Sequence, residues 1–163
     1  MRRTNRLTCA ALLLLACATG LAQEKANFTG TWTLDKEKSF SNGPQFEQTM
    51  TIVQNAEKLK LDAKQKTPRG ETAISEEYSL DGKEGEFTPQ GAAPNAKGKR
   101  KASWLANGRG ILVEDEISAD GKVIRNLTRK MTLSADGKTM TVDLFIDDNR
   151  GSFELKRVYN KTM

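Results

Sequence analysis

The sequence predicts an all-β protein: a single antiparallel up-and-down meander of about 8–10 strands closed into a barrel. Two observations and one topological argument lead there. Beyond the first 22 residues almost every segment alternates apolar and polar residues with period two, and none carries an apolar stripe at helical spacing. The alternating runs are joined by short links with turn chemistry: QNAEK, TPRG, LDGK, ANGRG, SADGK twice and DDNRG. Short links make sequence neighbours pair in space, and a sheet of that many strands curls until closure removes its exposed edges.

In chain order, the alternation places strands near 28–34, 46–54, 57–66, 71–80, 84–88, 98–106, 110–118, 122–133, 138–147 and 151–159. The first holds Gly30 and Trp32, one of only two tryptophans. The segment 35–45, DKEKSFSNGPQ, has room for a helical turn and not for a helix pair. The segment 88–98 carries Pro89, Gly91 and Pro94 among alanines and reads as a mobile loop. The two SADGK copies, Ser118–Lys122 and Ser134–Lys138, superficially suggest calcium loops. Each has one carboxylate against the six or more oxygen ligands that calcium takes, so Asp-Gly hairpin turns are expected instead.

Residues 1–22 read as a secretory signal, with Arg2, Arg3 and Arg6 ahead of an apolar stretch from Leu7 to Cys17 and small residues before Gln23. Residues 23–163 then form the β-barrel domain. An alternative remains open: Leu14-Leu15-Ala16-Cys17 has the shape of a lipoprotein cleavage site, which would make 1–16 the signal and leave Cys17 lipidated. The expected location is periplasmic or secreted, or membrane-anchored in the lipoprotein case. The apolar stretch is too short to span a bilayer, and no transmembrane segment is expected elsewhere.

Both cysteines, Cys9 and Cys17, lie in this leader, so the barrel has no disulfide available. The formal charge of +5 also owes much to the leader, and without Arg2, Arg3 and Arg6 it is +2. A charge that small gives no reason to invoke nucleic acid. The chain has no histidine, which removes histidine-ligated metal and any Ser-His or Cys-His pair. No metal, no cofactor and no enzymatic role are expected. The one exception kept is carboxylate chemistry by Asp115 and Glu76.

The opening Phe28-Thr29-Gly30-Thr31-Trp32, with Phe153 to Lys161 at the other end, resembles the calycin superfamily of lipocalins, fatty-acid-binding proteins and avidins. The layout also resembles uncharacterised bacterial envelope proteins described as lipocalin-like. The resemblance implies that Gly30, Trp32 and Arg157 close the barrel floor, with the terminal arginine packed over the tryptophan. Arg157-Val158-Tyr159 further resembles the Arg-x-Tyr with which fatty-acid-binding proteins hold a ligand carboxylate. Stacking on Trp32 and binding a carboxylate are alternatives for Arg157. The chain departs from the pattern in lacking a helical lid, a helix after the last strand and paired cysteines.

Period-two counting puts charges on apolar faces. Arg157 and Tyr159 follow Phe153 and Leu155; Arg125 and Arg129 accompany Val123, Leu127, Met131 and Leu133. Asp115 travels with Ile111, Val113 and Ile117, and Glu76 with Ile74, Tyr78 and Leu80. Buried charges must pair with each other, with water or with a ligand, and a bulge could turn either Arg125 or Arg129 outward. The expected function is an exported barrel binding a small apolar or amphipathic, acidic ligand, with Arg125, Arg129, Arg157, Tyr159 and Tyr78 around it and Trp32 as a wall. The alternative is a filled barrel with a structural or assembly role. The basic run Lys97–Trp104 is expected to be the solvated start of a strand, Arg100, Ala102 and Trp104 turning away from Lys99 and Lys101.

Overall fold

The computed structural model describes residues 24–40, 46–68 and 70–162. The expected signal or lipoprotein leader, Cys17 included, lies outside these residues. Ten strands follow one another: β1 (Gly30–Phe40), β2 (Glu47–Gln54), β3 (Lys58–Thr67), β4 (Gly70–Ser79), β5 (Glu84–Phe87), β6 (Lys97–Trp104), β7 (Gly110–Ala119), β8 (Lys122–Leu133), β9 (Thr139–Asp148) and β10 (Gly151–Thr162). All ladders are antiparallel, in the order β4-β3-β2-β1-β10-β9-β8-β7-β6-β5. The first and last strands therefore pair at the centre, Leu34 beside Tyr159. The sheet curls into a calycin-like barrel whose two edges, β4 and β5, share no ladder among the described residues. Side chains bridge that seam instead.

Alternation becomes burial strand by strand. On β2, Gln48, Met50 and Ile52 are buried and the residues between them exposed; on β3, Leu59, Leu61 and Ala63 do the same. One end of the barrel is packed solid by Phe28, Trp32, Leu59, Tyr78, Ile111 and Met140, each fully buried. At about 25 cal/mol per Å² of apolar surface removed from water, such side chains supply most of the driving force for the described residues, none of which is a cysteine.

Two local features depart from simple alternation. Residues 35–40 continue β1 rather than turning into helix; residues 41–45 lie outside the described set. Side chains replace part of the ladder there: the Asp35 carboxylate accepts the backbone N–H groups of Glu37 and Lys38, and the Val158 N–H donates to Ser39 Oγ. Register against β10 shifts between Asp35 and Phe40 accordingly. On β8, Arg125 pairs with Ile117 but Val123 pairs with Ser118, so Ile124 is the extra residue of a bulge. Val123, expected on the inner face, is exposed for that reason. Arg125 stays on the inner side of the bulge.

The two SADGK copies adopt different turns. In the first, Ala119 pairs with Lys122 and both Asp120 and Gly121 have positive φ, which is a two-residue type I′ hairpin. In the second the strands stop earlier: Ser134 N–H donates to Thr139 O, and Asp136 accepts from Ser134 Oγ and Lys138 N–H. The Asp136 carboxylate is thus engaged by its own loop.

Candidate functional site

A cavity of about 460 Å³ occupies the barrel interior above the packed end. Its apolar lining includes Met50, Leu61, Ile74, Leu127, Val142 and Leu144, and Pro89, Gln90 and Gly91 from the β5–β6 link border it. That link is held to the β7–β8 turn by Asn95 Nδ2, which donates to Asp120 Oδ1. The polar lining includes Gln48, Glu76, Tyr78, Arg100, Asp115, Arg125, Arg129, Arg157 and Tyr159. The five expected ligand-side residues, Arg125, Arg129, Arg157, Tyr159 and Tyr78, therefore share one cavity. Trp32 is not among its walls; it lies in the packed end.

Four of the charges form a neutral belt across the barrel. Arg100 on β6 and Asp115 on β7 are direct cross-strand partners and bond bidentately, Nε to Oδ1 at 2.7 Å and Nη2 to Oδ2 at 2.8 Å. Arg129 on β8 donates to Asp115 Oδ2 at 2.9 Å and to Glu76 Oε1 at 3.2 Å. Arg100 also reaches Glu76 Oε1, at 2.9 Å. Since Glu76 stands on β4, these bonds cross the seam where the ladder stops. The Arg100 guanidinium lies against the rings of Phe87 and Tyr78, 4.1 and 4.8 Å from their centroids.

Tyr78 Oη donates to Glu76 Oε2 at 2.6 Å. Burial opposes ionisation of Glu76, but the charge of Arg129, the Tyr78 hydrogen bond and the charge of Arg100 outweigh it and hold the carboxyl below its ordinary value. Burial pushes the Tyr78 phenol far up, so it remains a neutral donor. Two cations meet two anions, and every group has partners.

Arg157 is different. Among the described residues no carboxylate lies within 4 Å of it. It borders the cavity with its guanidinium carbon 4.9 Å from the Phe46 ring centroid. Nearby, Tyr159 Oη donates to Gln48 Oε1 at 2.6 Å across β1. Burial raises the Tyr159 pKa, and the charge of Arg157 works in the opposite direction.

The expected stacking of Arg157 on Trp32 is not what the structure holds. The cation over Trp32 is Lys161, its Nζ 5.3 Å from the ring centroid. Lys161 is the residue paired directly with Trp32 across the β1–β10 ladder, whereas Arg157 lies four residues along, towards the open end. Gly30 has its place in this closure: a Cβ there would run into Lys161 Cε, and its φ of 145° disfavours other residues. Trp32 is pinned from within by Nε1 donating to Phe28 O at 2.9 Å.

Arg125 borders the cavity at its mouth and is half exposed, 3.6 Å from Asp148. Asp148 is held more closely by Arg150, at 2.6 Å and through its backbone N–H. Those bonds lower its pKa to about 2, so it stays charged.

Reading the sequence missed Arg100, Gln48 and Phe87 as site residues. Arg100 had a visible signal, since it shares a face with Ala102 and Trp104, but the surrounding lysines argued for solvent. Gln48 likewise sits two positions before Met50 on an alternating strand. Phe87 is the cross-strand partner of Gly98, whose bare Cα leaves room for the ring.

A larger groove of about 610 Å³ follows the seam between β4 and β5. Its borders include charges already paired, Lys58 with Glu77 at 2.6 Å and Arg100 with Glu76, which suits a solvated trench better than an apolar ligand. Among the described residues no three His, Cys, Asp or Glu side chains gather to hold a metal, and no helix is long and apolar enough to cross a membrane.

No protein-family profile matches the chain, and no curated protein matches it. Solved structures do. Zebrafish ileal bile acid-binding protein, complexed with cholic acid, superposes with a TM-score of 0.54 at 17% identity, over 83% of this chain and 98% of its own. Secretory abundant heat soluble protein 4 from Ramazzottius varieornatus superposes with a TM-score of 0.54 at 14% identity, over 86% of this chain and 98% of its own. At such identities the likeness is one of fold, and that fold is the calycin-like barrel expected from the two ends of the sequence.

Proposed function

We propose that this chain is a binding barrel that takes a small amphipathic acid into its interior. The anionic group would meet Arg157, with Tyr159 and Gln48 alongside, and the apolar body would lie against Met50, Ile74 and Leu144. The observation that carries this reading is the contrast between arginines. Arg100 and Arg129 are neutralised by Glu76 and Asp115, whereas Arg157 borders the same cavity with no carboxylate beside it. A cavity-side cation without a counter-charge favours an anion, and the apolar walls favour a hydrocarbon body. The cholic acid in the zebrafish structure is an amphipathic acid of this kind, carried by the same fold.

The reading is non-catalytic. Glu76 and Asp115 are both engaged by guanidinium groups, which leaves neither free to move a proton. A filled barrel with a purely structural role is disfavoured by a cavity of about 460 Å³. Export also belongs to the proposal: the leader would deliver the barrel to the periplasm or the medium, or tether it through Cys17. Mass measurement of the mature protein separates these outcomes.

Displacement of a fluorescent fatty-acid probe tests the binding claim, with Arg157→Ala and Arg129→Ala beside the wild type. Loss of a charge-assisted hydrogen bond, about 1.5–3 kcal/mol, predicts at least a tenfold weaker affinity for Arg157→Ala. A wild type that binds no probe refutes the reading.

A further inference from the structure

Charge along the cavity is unevenly distributed. The belt of Arg100, Arg129, Glu76 and Asp115 sums to zero. At the mouth, Arg125 and Arg150 face Asp148 alone, and Arg150 holds that carboxylate at 2.6 Å against 3.6 Å for Arg125. Arg157 is unmatched among the described residues. The cavity therefore carries excess positive charge at two places, at Arg157, which has no carboxylate beside it, and at the mouth, where Arg125 shares Asp148 with Arg150; the neutral belt and apolar wall lie between them.

Their spacing follows from the ladders. Arg125 pairs with Asp148, and Asp148 pairs with Gly151. Gly151 precedes Arg157 by six positions on β10, so the two arginines stand roughly 20 Å apart along the strand direction at about 3.4 Å per residue. One carboxylate or phosphate cannot serve both.

We infer that the preferred ligand carries two anionic groups, one at each end of an apolar body: one at Arg157 and the second at Arg125 in the mouth. This rests on the binding reading above and specifies its ligand class. The bulge at Ile124 contributes to the arrangement. It turns Val123 out while Arg125 still borders the cavity, so the guanidinium is half hydrated and available at the rim. A charge in that position adds little to folding and much to recognition.

Calorimetric titration with hexadecanedioic acid and hexadecanoic acid, which differ only in the second carboxylate, tests the inference. The wild type is expected to bind the diacid at least tenfold more tightly. Arg125→Gln should remove that preference by weakening the diacid far more than the monoacid, whereas Arg157→Gln should weaken both ligands. Arg125→Lys, which keeps the charge, should retain most of the preference. Equal affinity of the wild type for the two acids, or a preference that survives Arg125→Gln, overturns the second anchor and leaves the binding reading intact. Binding of neither acid overturns both.

Discussion

Removing the Asp115 carboxylate tests whether the belt of charges is structural. In Asp115→Ala, Arg100 loses both of its bonds to that side chain and Arg129 loses one, which leaves two guanidiniums sharing Glu76. The Asp115 side chain is 1% exposed and that of Arg100 9%, so water does not readily replace what is lost; Arg129, at 15%, can rehydrate in part. Removing one partner of a buried ionic cluster costs about 3–5 kcal/mol, because the remaining charges are stranded. In a domain of this size that lowers Tm by about 10–20 °C. Urea unfolding followed by the fluorescence of Trp32 and Trp104 measures it, with the midpoint expected to fall at constant slope. The double variant Arg100→Met/Asp115→Leu keeps the Arg129–Glu76 pair neutral and fills the space with apolar atoms, so it should recover most of the loss. A single variant that loses less than about 1 kcal/mol would refute the reasoning, since such a belt would be hydrated rather than structural.

Other perturbations separate the remaining roles. Glu76 has a folded pKa below its ordinary 4.5, so its contribution is complete above that pH and lost as pH falls through the folded value; Glu76→Gln should destabilise at neutral pH, and the gap to wild type should narrow on acidification in a stability–pH series. Lys161→Ala should lower unfolding stability by about 0.5–2 kcal/mol through the lost contact with Trp32, while Arg157→Ala should cost less stability and impair ligand binding. Gly98→Ala places a methyl group where the Phe87 ring lies and should cost about 1–3 kcal/mol in thermal unfolding, with Phe87 displaced from Arg100.

Much of the architecture was legible because period-two alternation and Asp-Gly or Asn-Gly turns are local signals, and an up-and-down meander needs nothing else. Strand β8 was expected at 122–133 and spans those residues. The Ile124 bulge was not placed, since one extra residue against β7 leaves no mark in composition. For the closure, Arg157 was expected over Trp32 beside Gly30, and Lys161 stands over that ring instead. Arg157 and Lys161 share a face of β10, and only the register with β1 decides which stands beside Trp32. The charges that gather inside were visible on their faces, but their partition was not. Whether Arg129 or Arg157 is neutralised depends on reach across three strands, and Arg100 was hidden among the lysines of its own strand.

The central claim is that the interior holds an amphipathic acid at Arg157. Native mass spectrometry of the protein purified from its own source, run beside Arg157→Ala, tests it most directly. The wild type is expected to carry a small acidic adduct that is lost from the variant. A wild type of bare mass that also takes up no added fatty acid would contradict it.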